Sequence, residues 1–126
     1  MKALKIEARD DSPMVNLDKD QGVFEISGKS LPEDVIEFYQ PIFDWIDAYA
    51  KDALDETVFS FKMIYFNTAS SKVILDILMK LEGIAEQGKN VLIKWYALER
   101  DEDMAEAGEE YSDMVDLTFE HLTFQK

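Results

Sequence analysis

The sequence predicts a single α/β domain, in which a mixed β-sheet carries helices packed mainly on one face. Three observations lead to this fold class. The length of 126 residues suits one domain, so residues 1–126 are expected to fold as a unit. The hydrophobic pattern places strands and helices in the order β-β-β-α-β-α-β-α, followed by a short last strand. Strands that alternate with helices pair in parallel through right-handed crossovers, whereas the opening strands predict an antiparallel part.

The chain opens with three predicted strands. Leu4–Ala8 is a short one, and Met14–Leu17 and Gly22–Ser27 flank a polar turn and therefore predict a β-hairpin. In the last of these strands Phe24 and Ile26 have the same parity, so both are expected to face the core.

The first helix is predicted from about Pro32 to Lys51. Ser30 and Glu33 have the spacing of a capping box, in which two side chains satisfy free backbone N–H groups at a helix start. Pro41 lies inside the helical pattern and is expected to bend or split the helix. The residues of the apolar stripe are Val35, Phe38, Tyr39, Ile42, Trp45, Ile46 and Tyr49.

A long central strand, Thr57–Asn67, is predicted from its β-branched and aromatic residues. Successive side chains point to opposite faces of a sheet. The wholly apolar parity is expected to lie under the helices and comprises Phe59, Phe61, Met63 and Tyr65. The other parity contains Lys62, so that face is expected to be incompletely covered. Its members are Val58, Ser60, Lys62, Ile64 and Phe66.

The second helix is predicted to begin at Ala69 and to end before Gly88, because a residue just past a helix often adopts the left-handed conformation. Thr68 is the expected N-cap, with a hydroxyl that accepts a hydrogen bond from a free first-turn N–H. The apolar stripe that should pack on the sheet comprises Val73, Ile74, Ile77, Leu78, Leu81 and Ile84.

The last part of the chain predicts a strand, an acidic helix and a short final strand. These elements are Asn90–Leu98, Asp101–Met114 and Val115–Phe124. The side chains expected on one side of the acidic helix are Met104, Ala107 and Tyr111.

The composition excludes several classes of function. Without cysteine the chain has no disulfide framework, no thiol nucleophile and no cysteine-ligated metal. A net charge of −14, from 27 acidic and 13 basic residues, would repel nucleic-acid backbones and anionic membranes. No apolar run reaches transmembrane length, and the N-terminus has no apolar signal segment, so a cytoplasmic location is expected.

The sequence contains no arrangement typical of a catalytic or metal site. His121 is the only histidine, and no second ligand accompanies it at a suitable spacing. Glu106, Glu109 and Glu110 lie on adjacent helical turns, but no apolar pocket that would raise a carboxyl pKa is evident beside them. There is no Gly-rich phosphate loop and no nucleophile–histidine–acid set. We therefore expect no enzymatic activity, no cofactor and no metal.

Charged residues mark the less apolar face of the sheet. Glu25, Lys62 and Lys94 share that parity and would form a charge ladder if their strands are neighbours. A solvated sheet face is the simplest interpretation. A partner-docking face is the alternative, because Ile64 and Phe66 lie in the same row as Lys62.

Functional interest centres on the hinge between the central strand and the second helix, which reads Asn67-Thr68-Ala69-Ser70-Ser71. Its simplest interpretation is a helix cap followed by a polar first turn. The alternative is a phosphorylation switch. A hydroxyl at a helix start is accessible to a kinase, and the free N–H groups and the helix dipole favour a phosphate there. Such a phosphate would act on a partner's surface rather than on the fold.

Several segments resemble the SiaC family of bacterial regulatory phosphoproteins. The most specific is Tyr65–Lys72, YFNTASSK, together with Ile74–Leu78 after it. Ile42–Ile46 in the first helix and Ile93–Tyr96 in the late strand add to the resemblance, which spans nearly the whole chain. Pro41 does not match the family pattern.

The resemblance implies a non-enzymatic switch with a fold like the STAS domains of anti-sigma-factor antagonists. It implies that a serine/threonine kinase phosphorylates Thr68 and that a PP2C-type phosphatase removes the phosphate. The unphosphorylated form would bind and activate a diguanylate cyclase, which connects the protein to cyclic-di-GMP signalling and biofilm formation. Asn67, Ser70, Ser71 and Lys72 would contact the partner near the switch. The alternatives are a small-molecule-binding module and an anti-sigma-factor-antagonist module with a different effector.

Overall fold

The protein forms one six-stranded β-sheet with three α-helices. The computed structural model describes residues 1–125. The strands are β1 Leu4–Ile6, β2 Met14–Asp18, β3 Val23–Ser30, β4 Glu56–Phe66, β5 Asn90–Leu98 and β6 Thr118–Phe124. The helices are α1 Val35–Ala50, α2 Thr68–Ala85 and α3 Glu102–Met114. Every predicted element is present, with its ends a few residues or less from the predicted positions.

The strands lie side by side in chain order, from β1 to β6. The pairs β1–β2 and β2–β3 are antiparallel, and the three remaining pairs are parallel. Each helix joins two neighbouring parallel strands. Because the strand order never reverses, right-handed crossovers place all three helices on the same face of the sheet. The predicted mixed α/β fold is therefore confirmed.

The core lies between the helices and one face of the sheet. The stripes predicted for α1 and α2 face it, and the six α2 residues of the stripe are all buried. The largest contributions of the sheet are residues at most 3% exposed: Val15, Leu17, Phe24, Ile26, Phe59, Phe61, Met63, Ile93 and Trp95. The core positions predicted for Phe24 and Ile26 are therefore confirmed.

α3 approaches Trp95 of β5 very closely. A Cβ atom added at Gly108 would lie 2.3 Å from Cδ1 of the Trp95 ring, so a larger residue would force a shift. The Trp95 indole N–H donates a hydrogen bond to the Met104 carbonyl at 2.9 Å. Met104 and Tyr111 are buried on the same side of the helix, as the sequence predicts.

The start of α1 differs from the prediction. β3 continues to Ser30, which pairs with Phe66 of β4 and is therefore not part of a capping box. The N-cap is Asp34, whose carboxylate accepts a hydrogen bond from the Glu37 N–H at 3.1 Å. Pro41 does not split the helix. It lies on the exposed side of one continuous α1, where water can satisfy the carbonyl that a proline leaves without a donor.

The end of β4 also differs from the prediction. Near the end of both strands the register of β3 against β4 shifts by one residue, so that Lys29 lies opposite Tyr65 and Ile64 is the extra residue. An extra residue reverses the alternation of side chains that follows it. Tyr65 is therefore 53% exposed rather than in the core. Phe66 packs against Trp95 with ring centroids 6.4 Å apart, rather than lying on the open face.

Lys62 lies on the face of the sheet away from the helices, as predicted. Its ammonium nitrogen is 4.7 Å from the centroid of the Tyr96 ring. Glu25 and Lys94 lie on the same face. Both are cross-strand neighbours of Ser60 in β4, so they are not adjacent to each other or to Lys62. The three charged residues therefore do not form a continuous ladder.

Candidate functional site

The hinge between β4 and α2 is a helix cap at the carboxyl end of the parallel strands. The sequence predicts Thr68 as the N-cap, but the structure has Asn67 in this position. Asn67 Oδ1 accepts a hydrogen bond from the Ser70 N–H at 2.9 Å. The Asn67 N–H donates to the Ser30 carbonyl at 3.1 Å, and the Asn67 carbonyl accepts from the Ser71 N–H at 2.9 Å. Thr68 therefore belongs to the first turn, and its hydroxyl is not needed for capping.

A chain of buried hydroxyl groups lies beneath the hinge. The Ser30 hydroxyl donates to Ser70 Oγ at 2.9 Å and shares a 2.6 Å hydrogen bond with the Tyr39 hydroxyl. All three residues are fully buried. Burial raises the pKa of Tyr39 to about 12, although its hydrogen bond with Ser30 acts in the opposite direction. The three hydrogen-bonded hydroxyl groups therefore connect α1, β3 and α2 without a buried charge at physiological pH.

α3 holds the hinge from its other side. The Tyr111 hydroxyl donates a hydrogen bond to the Ser71 carbonyl at 2.8 Å. The Tyr111 ring centroid is 5.4 Å from that of Trp95 and 6.4 Å from that of Phe66. Burial raises the pKa of the Tyr111 hydroxyl far above its usual value, so this group is also a neutral donor. The start of α2 is thus held by a hydrogen bond from α3 and by one from Ser30 of β3, which is itself bonded to Tyr39 of α1.

The hydroxyl groups of the hinge have different surroundings. Thr68 is exposed, and within residues 1–125 its side chain makes no hydrogen bond. Ser71 is half-buried, and its hydroxyl donates to the Thr68 carbonyl at 2.6 Å. Ser70, for which a partner contact was expected, is completely buried. Thr68 and Ala69 form the exposed surface of the hinge, with the exposed Lys72 following it and Asn67 and Ser71 half-buried.

The start of α2 carries no negative charge. Its cap is the neutral Asn67, and its first turn contains no acidic residue. α1 is capped by Asp34 and α3 by Asp101, and both have acidic residues in the first turn. An α-helix carries about half a positive charge at its N-terminus. Of the three helices in residues 1–125, only α2 leaves this charge uncompensated, beside the exposed Thr68.

The match to a known family extends over almost the whole chain. A family model described as "SiaC family regulatory phosphoprotein" matches residues 6–124. The chain belongs to the SiaC family. The structure of SiaC of Pseudomonas aeruginosa has a TM-score of 0.90 and 27% sequence identity, and the match covers 98% of this chain and 100% of that one. A curated relative, an uncharacterized protein of Pseudomonas aeruginosa strain UCBPP-PA14, is 29% identical over 119 residues, which is 94% of each chain.

Another SiaC structure contains a partner protein. It is the crystal structure of the diguanylate cyclase SiaD in complex with its activator SiaC, from Pseudomonas aeruginosa. The match has a TM-score of 0.90 and 27% identity, and covers 96% of this chain and 99% of that one. The predicted family and the predicted fold are thus both confirmed for this SiaC-family chain.

One recess of this SiaC-family protein lies at the start of α1, and its lining includes no residue of the hinge. It has a volume of about 940 Å³. The charged side chains that line it are Arg9, Asp11, Glu33, Asp34 and Glu37. Residues 1–125 contain no group of three histidine or carboxylate side chains placed to hold a metal ion. None of the helices described is long and apolar enough to cross a membrane.

Sequence reasoning located the hinge but missed the residues that support it. Ser30 was assigned to a helix cap, and Tyr39 and Tyr111 to apolar helix faces. A buried tyrosine usually needs a hydrogen-bond partner for its hydroxyl, so the two tyrosines were the available signal. Their partners lie 9 and 40 residues away in the chain, and a local sequence pattern cannot identify them.

Proposed function

We propose that this SiaC-family protein is a non-enzymatic switch whose binding to a diguanylate cyclase is controlled by phosphorylation of Thr68. A serine/threonine kinase adds the phosphate, and a PP2C-type phosphatase removes it, in the cytoplasm. The unphosphorylated form binds and activates the cyclase, and so acts on cyclic-di-GMP signalling and biofilm formation. Family membership supports the regulatory role, and the SiaC–SiaD complex of Pseudomonas aeruginosa supports the class of partner.

The observation that carries the proposal is the surroundings of Thr68. Its side chain is exposed, whereas Ser70 is enclosed and Ser71 is bonded to the main chain of its own helix. The N-terminus of α2 lacks the acidic residues that the other helices have there. A kinase can therefore reach this hydroxyl, and a phosphate on it would lie next to an uncompensated positive helix end.

The effect of the phosphate on the fold is expected to be small. The modification adds about −1.5 to −2 charges. An anion at an exposed helix N-terminus is stabilised by about 0.3–1 kcal/mol. The contacts that fix the hinge use Asn67, Ser70 and the main chain of Ser71, and none of them needs the Thr68 hydroxyl.

The effect on a partner is expected to be large. A protein packed against Thr68, Ser71 and Lys72 would have to desolvate the dianion or supply new charges for it. Leaving a buried charged contact without its partner costs about 2–5 kcal/mol, which is a factor of about 30 to several thousand in Kd. The same modification therefore leaves the fold intact and weakens binding strongly.

Calorimetric titration with the diguanylate cyclase of the same host tests the proposal. The protein is compared before and after treatment with the host kinase, and the phosphate is mapped by mass spectrometry. Phosphorylation should raise the Kd by about 30-fold or more. Thr68→Ala should bind like the unmodified protein and resist the kinase, whereas the matched control Ser71→Ala should still be modified. Equal affinities, or a phosphate mapped to Ser70 or Ser71, would contradict the proposal.

A further inference from the structure

The recess at the start of α1 lies between two segments that are distant in the chain. One wall is the connection between β1 and β2, which contributes Arg9, Asp11 and Ser12. The other wall runs from Pro32 into the first turns of α1, as far as Phe38. The volume of about 940 Å³ is within the usual size of sites for small organic molecules. We call this site the α1 recess.

Within residues 1–125, the acidic side chains of the α1 recess have no ion-pair partner. The four salt bridges in this part of the chain, each between a lysine and an aspartate, involve other residues. Four carboxylates against one guanidinium leave an excess of three negative charges, and the N-terminus of α1 offsets only about half of one charge. The recess therefore favours a ligand with a net positive charge. Its charged residues are Arg9, Asp11, Glu33, Asp34 and Glu37.

Ser12 provides independent support for a ligand. It is only 6% exposed, and within residues 1–125 its hydroxyl makes no hydrogen bond. The one fully enclosed side-chain oxygen or nitrogen without a partner in these residues is Asn16 Oδ1. The Ser12 hydroxyl is therefore not sealed inside the protein, and it opens into the recess that Ser12 lines. Since buried polar groups are normally hydrogen-bonded, a bound molecule can supply the partner that this hydroxyl lacks in the protein.

Apolar side chains lie between the polar groups of the α1 recess. Ile6, Pro32, Val35 and Phe38 line it, and all four are half-buried. A hydrocarbon chain can cover them, whereas a metal ion would leave them in contact with water. Residues 1–125 also contain no group of three histidine or carboxylate side chains placed to hold a metal ion. The lining therefore favours an organic cation.

We propose that the α1 recess binds a free basic amino acid, of the chemical class of arginine and lysine. The cationic end of the ligand lies among the carboxylates, and its methylene chain covers Val35 and Phe38. The carboxylate of the ligand pairs with the Arg9 guanidinium and accepts a hydrogen bond from the Ser12 hydroxyl. Hydrogen bonds between charged groups are roughly twice as strong as those between neutral ones. The inference does not depend on the proposed function, because none of these residues belongs to the hinge.

Such a ligand would join the β1–β2 connection to α1. A molecule that binds only the folded protein stabilises it in proportion to the logarithm of its concentration. The Tm of the protein should therefore rise with added L-arginine and rise less with the same concentration of L-citrulline.

Three ligands of similar shape test the chemistry. L-citrulline has a neutral urea group in place of the guanidinium of L-arginine, and agmatine lacks the carboxylate. In calorimetric titrations of the whole chain at constant ionic strength, L-arginine should bind at least about tenfold more tightly than L-citrulline. Arg9→Gln should weaken L-arginine by about threefold or more and should not weaken agmatine. Equal affinities for L-arginine and L-citrulline, no binding of L-arginine at about 10 mM, or equal losses of L-arginine and agmatine in Arg9→Gln would overturn the inference.

A matched pair of variants separates the recess from the total charge. Glu37→Gln and Glu102→Gln each neutralise an exposed glutamate in the first turn of a helix, but only Glu37 lines the recess. Glu37→Gln should weaken L-arginine by about fivefold or more, and Glu102→Gln by less than about twofold. Equal losses in the two variants would show that the total charge alone attracts the ligand, and would overturn the inference.

Ser12→Ala tests the buried hydroxyl. The change removes a group that has no hydrogen bond within residues 1–125, so the midpoint of urea denaturation without ligand should not fall. L-arginine should nevertheless bind about threefold or more weakly, because its carboxylate loses a donor. An unchanged affinity for L-arginine in Ser12→Ala would contradict the inference.

Discussion

The starts of α2 and α3 lie at the same edge of the sheet and are capped in the same way, but they differ in charge. Each helix follows a parallel strand, and Asn67 and Asp101 each accept a hydrogen bond from the N–H three residues later, at 2.9 and 3.0 Å. α3 adds Glu102 and Asp103 in its first turn, whereas α2 has no acidic residue there.

The comparison shows that capping the backbone and compensating the helix dipole are separate tasks. An amide cap satisfies a free N–H group and leaves the positive end of the helix without a counter-charge. A carboxylate cap does both permanently. α2 therefore has an N-terminus that can gain and lose an anion without losing its cap, and α3 has one that is already occupied by its own acids.

α3 and α2 also differ in how closely a glycine of each helix is packed. The largest expected change in the free energy of unfolding follows from this difference. Gly108→Ala would place a methyl group against the Trp95 ring of β5 and should destabilise the fold by about 1–3 kcal/mol. Gly83→Ala in α2 is the matched control, because no atom lies within 4 Å of the added Cβ. There alanine should stabilise the helix by about 0.5–1 kcal/mol. Chemical denaturation measures both, and a Gly108→Ala protein as stable as Gly83→Ala would show that α3 is not closely seated.

Removing each cap residue should show that the neutral cap of α2 and the charged cap of α3 respond differently to salt. Asn67→Ala and Asp101→Ala should each lower the free energy of unfolding by about 0.5–2 kcal/mol. The loss at Asp101 contains a charge–dipole part and should shrink in high salt, whereas the loss at Asn67 should not. Urea denaturation at two salt concentrations measures this, and an equal salt dependence at both positions would remove the distinction.

Tyr39→Phe tests the support beneath α2 alone. The change removes one buried hydrogen bond, while Ser30 keeps its bond to Ser70, so the expected loss is about 0.5–1.5 kcal/mol. Tyr65→Phe, at an exposed position, is the matched control and should have little effect. A similar loss in the two variants would mean that the buried hydroxyl chain does not stabilise the hinge.

The same tyrosine gives a pH dependence of known sign. The pKa of Tyr39 is raised from 10.0 to about 12 in the folded protein, so the folded chain keeps this proton at a pH where the unfolded chain has lost it. The corresponding stability is complete below pH 10 and is lost as the pH rises through 12. Denaturation midpoints measured above about pH 10 should therefore fall less steeply for Tyr39→Phe than for the unaltered protein. An unchanged slope would contradict the assignment.

The smallest expected changes in stability come from giving each helix the other's type of cap residue. Asn67→Asp should stabilise the protein by about 0.3–1 kcal/mol, and Asp101→Asn should destabilise it by a similar amount, because only the charge changes. Asn67→Asp should also make phosphorylation of Thr68 less favourable for the fold, since the phosphate would then meet a negative neighbour. Thermal unfolding of the unaltered protein and of the Asn67→Asp variant, each with and without phosphate, measures this coupling. Equal effects of phosphate in the two proteins would show that the charge-free start of α2 has no role in receiving it.

The sequence by itself determined the secondary structure, the layer arrangement and the position of the hinge. Alternation in β3 placed Phe24 and Ile26 in the core, and helical spacing identified the buried stripe of α2. These features depend on which face of a local element is apolar, and that information lies within a few neighbouring residues. The motif around Thr68 was similarly local, and it was sufficient to indicate the family.

The tertiary structure alone decided which side chains of the hinge are accessible. The extra residue in β4 exchanged the environments of Tyr65 and Phe66, and the pairing of β3 with β4 turned Ser30 from a predicted cap into the buried partner of Ser70. The physical reason is that strand register and buried hydrogen bonds join residues far apart in the chain. A buried polar group must find its partner wherever the fold brings one, and no local pattern states where that is.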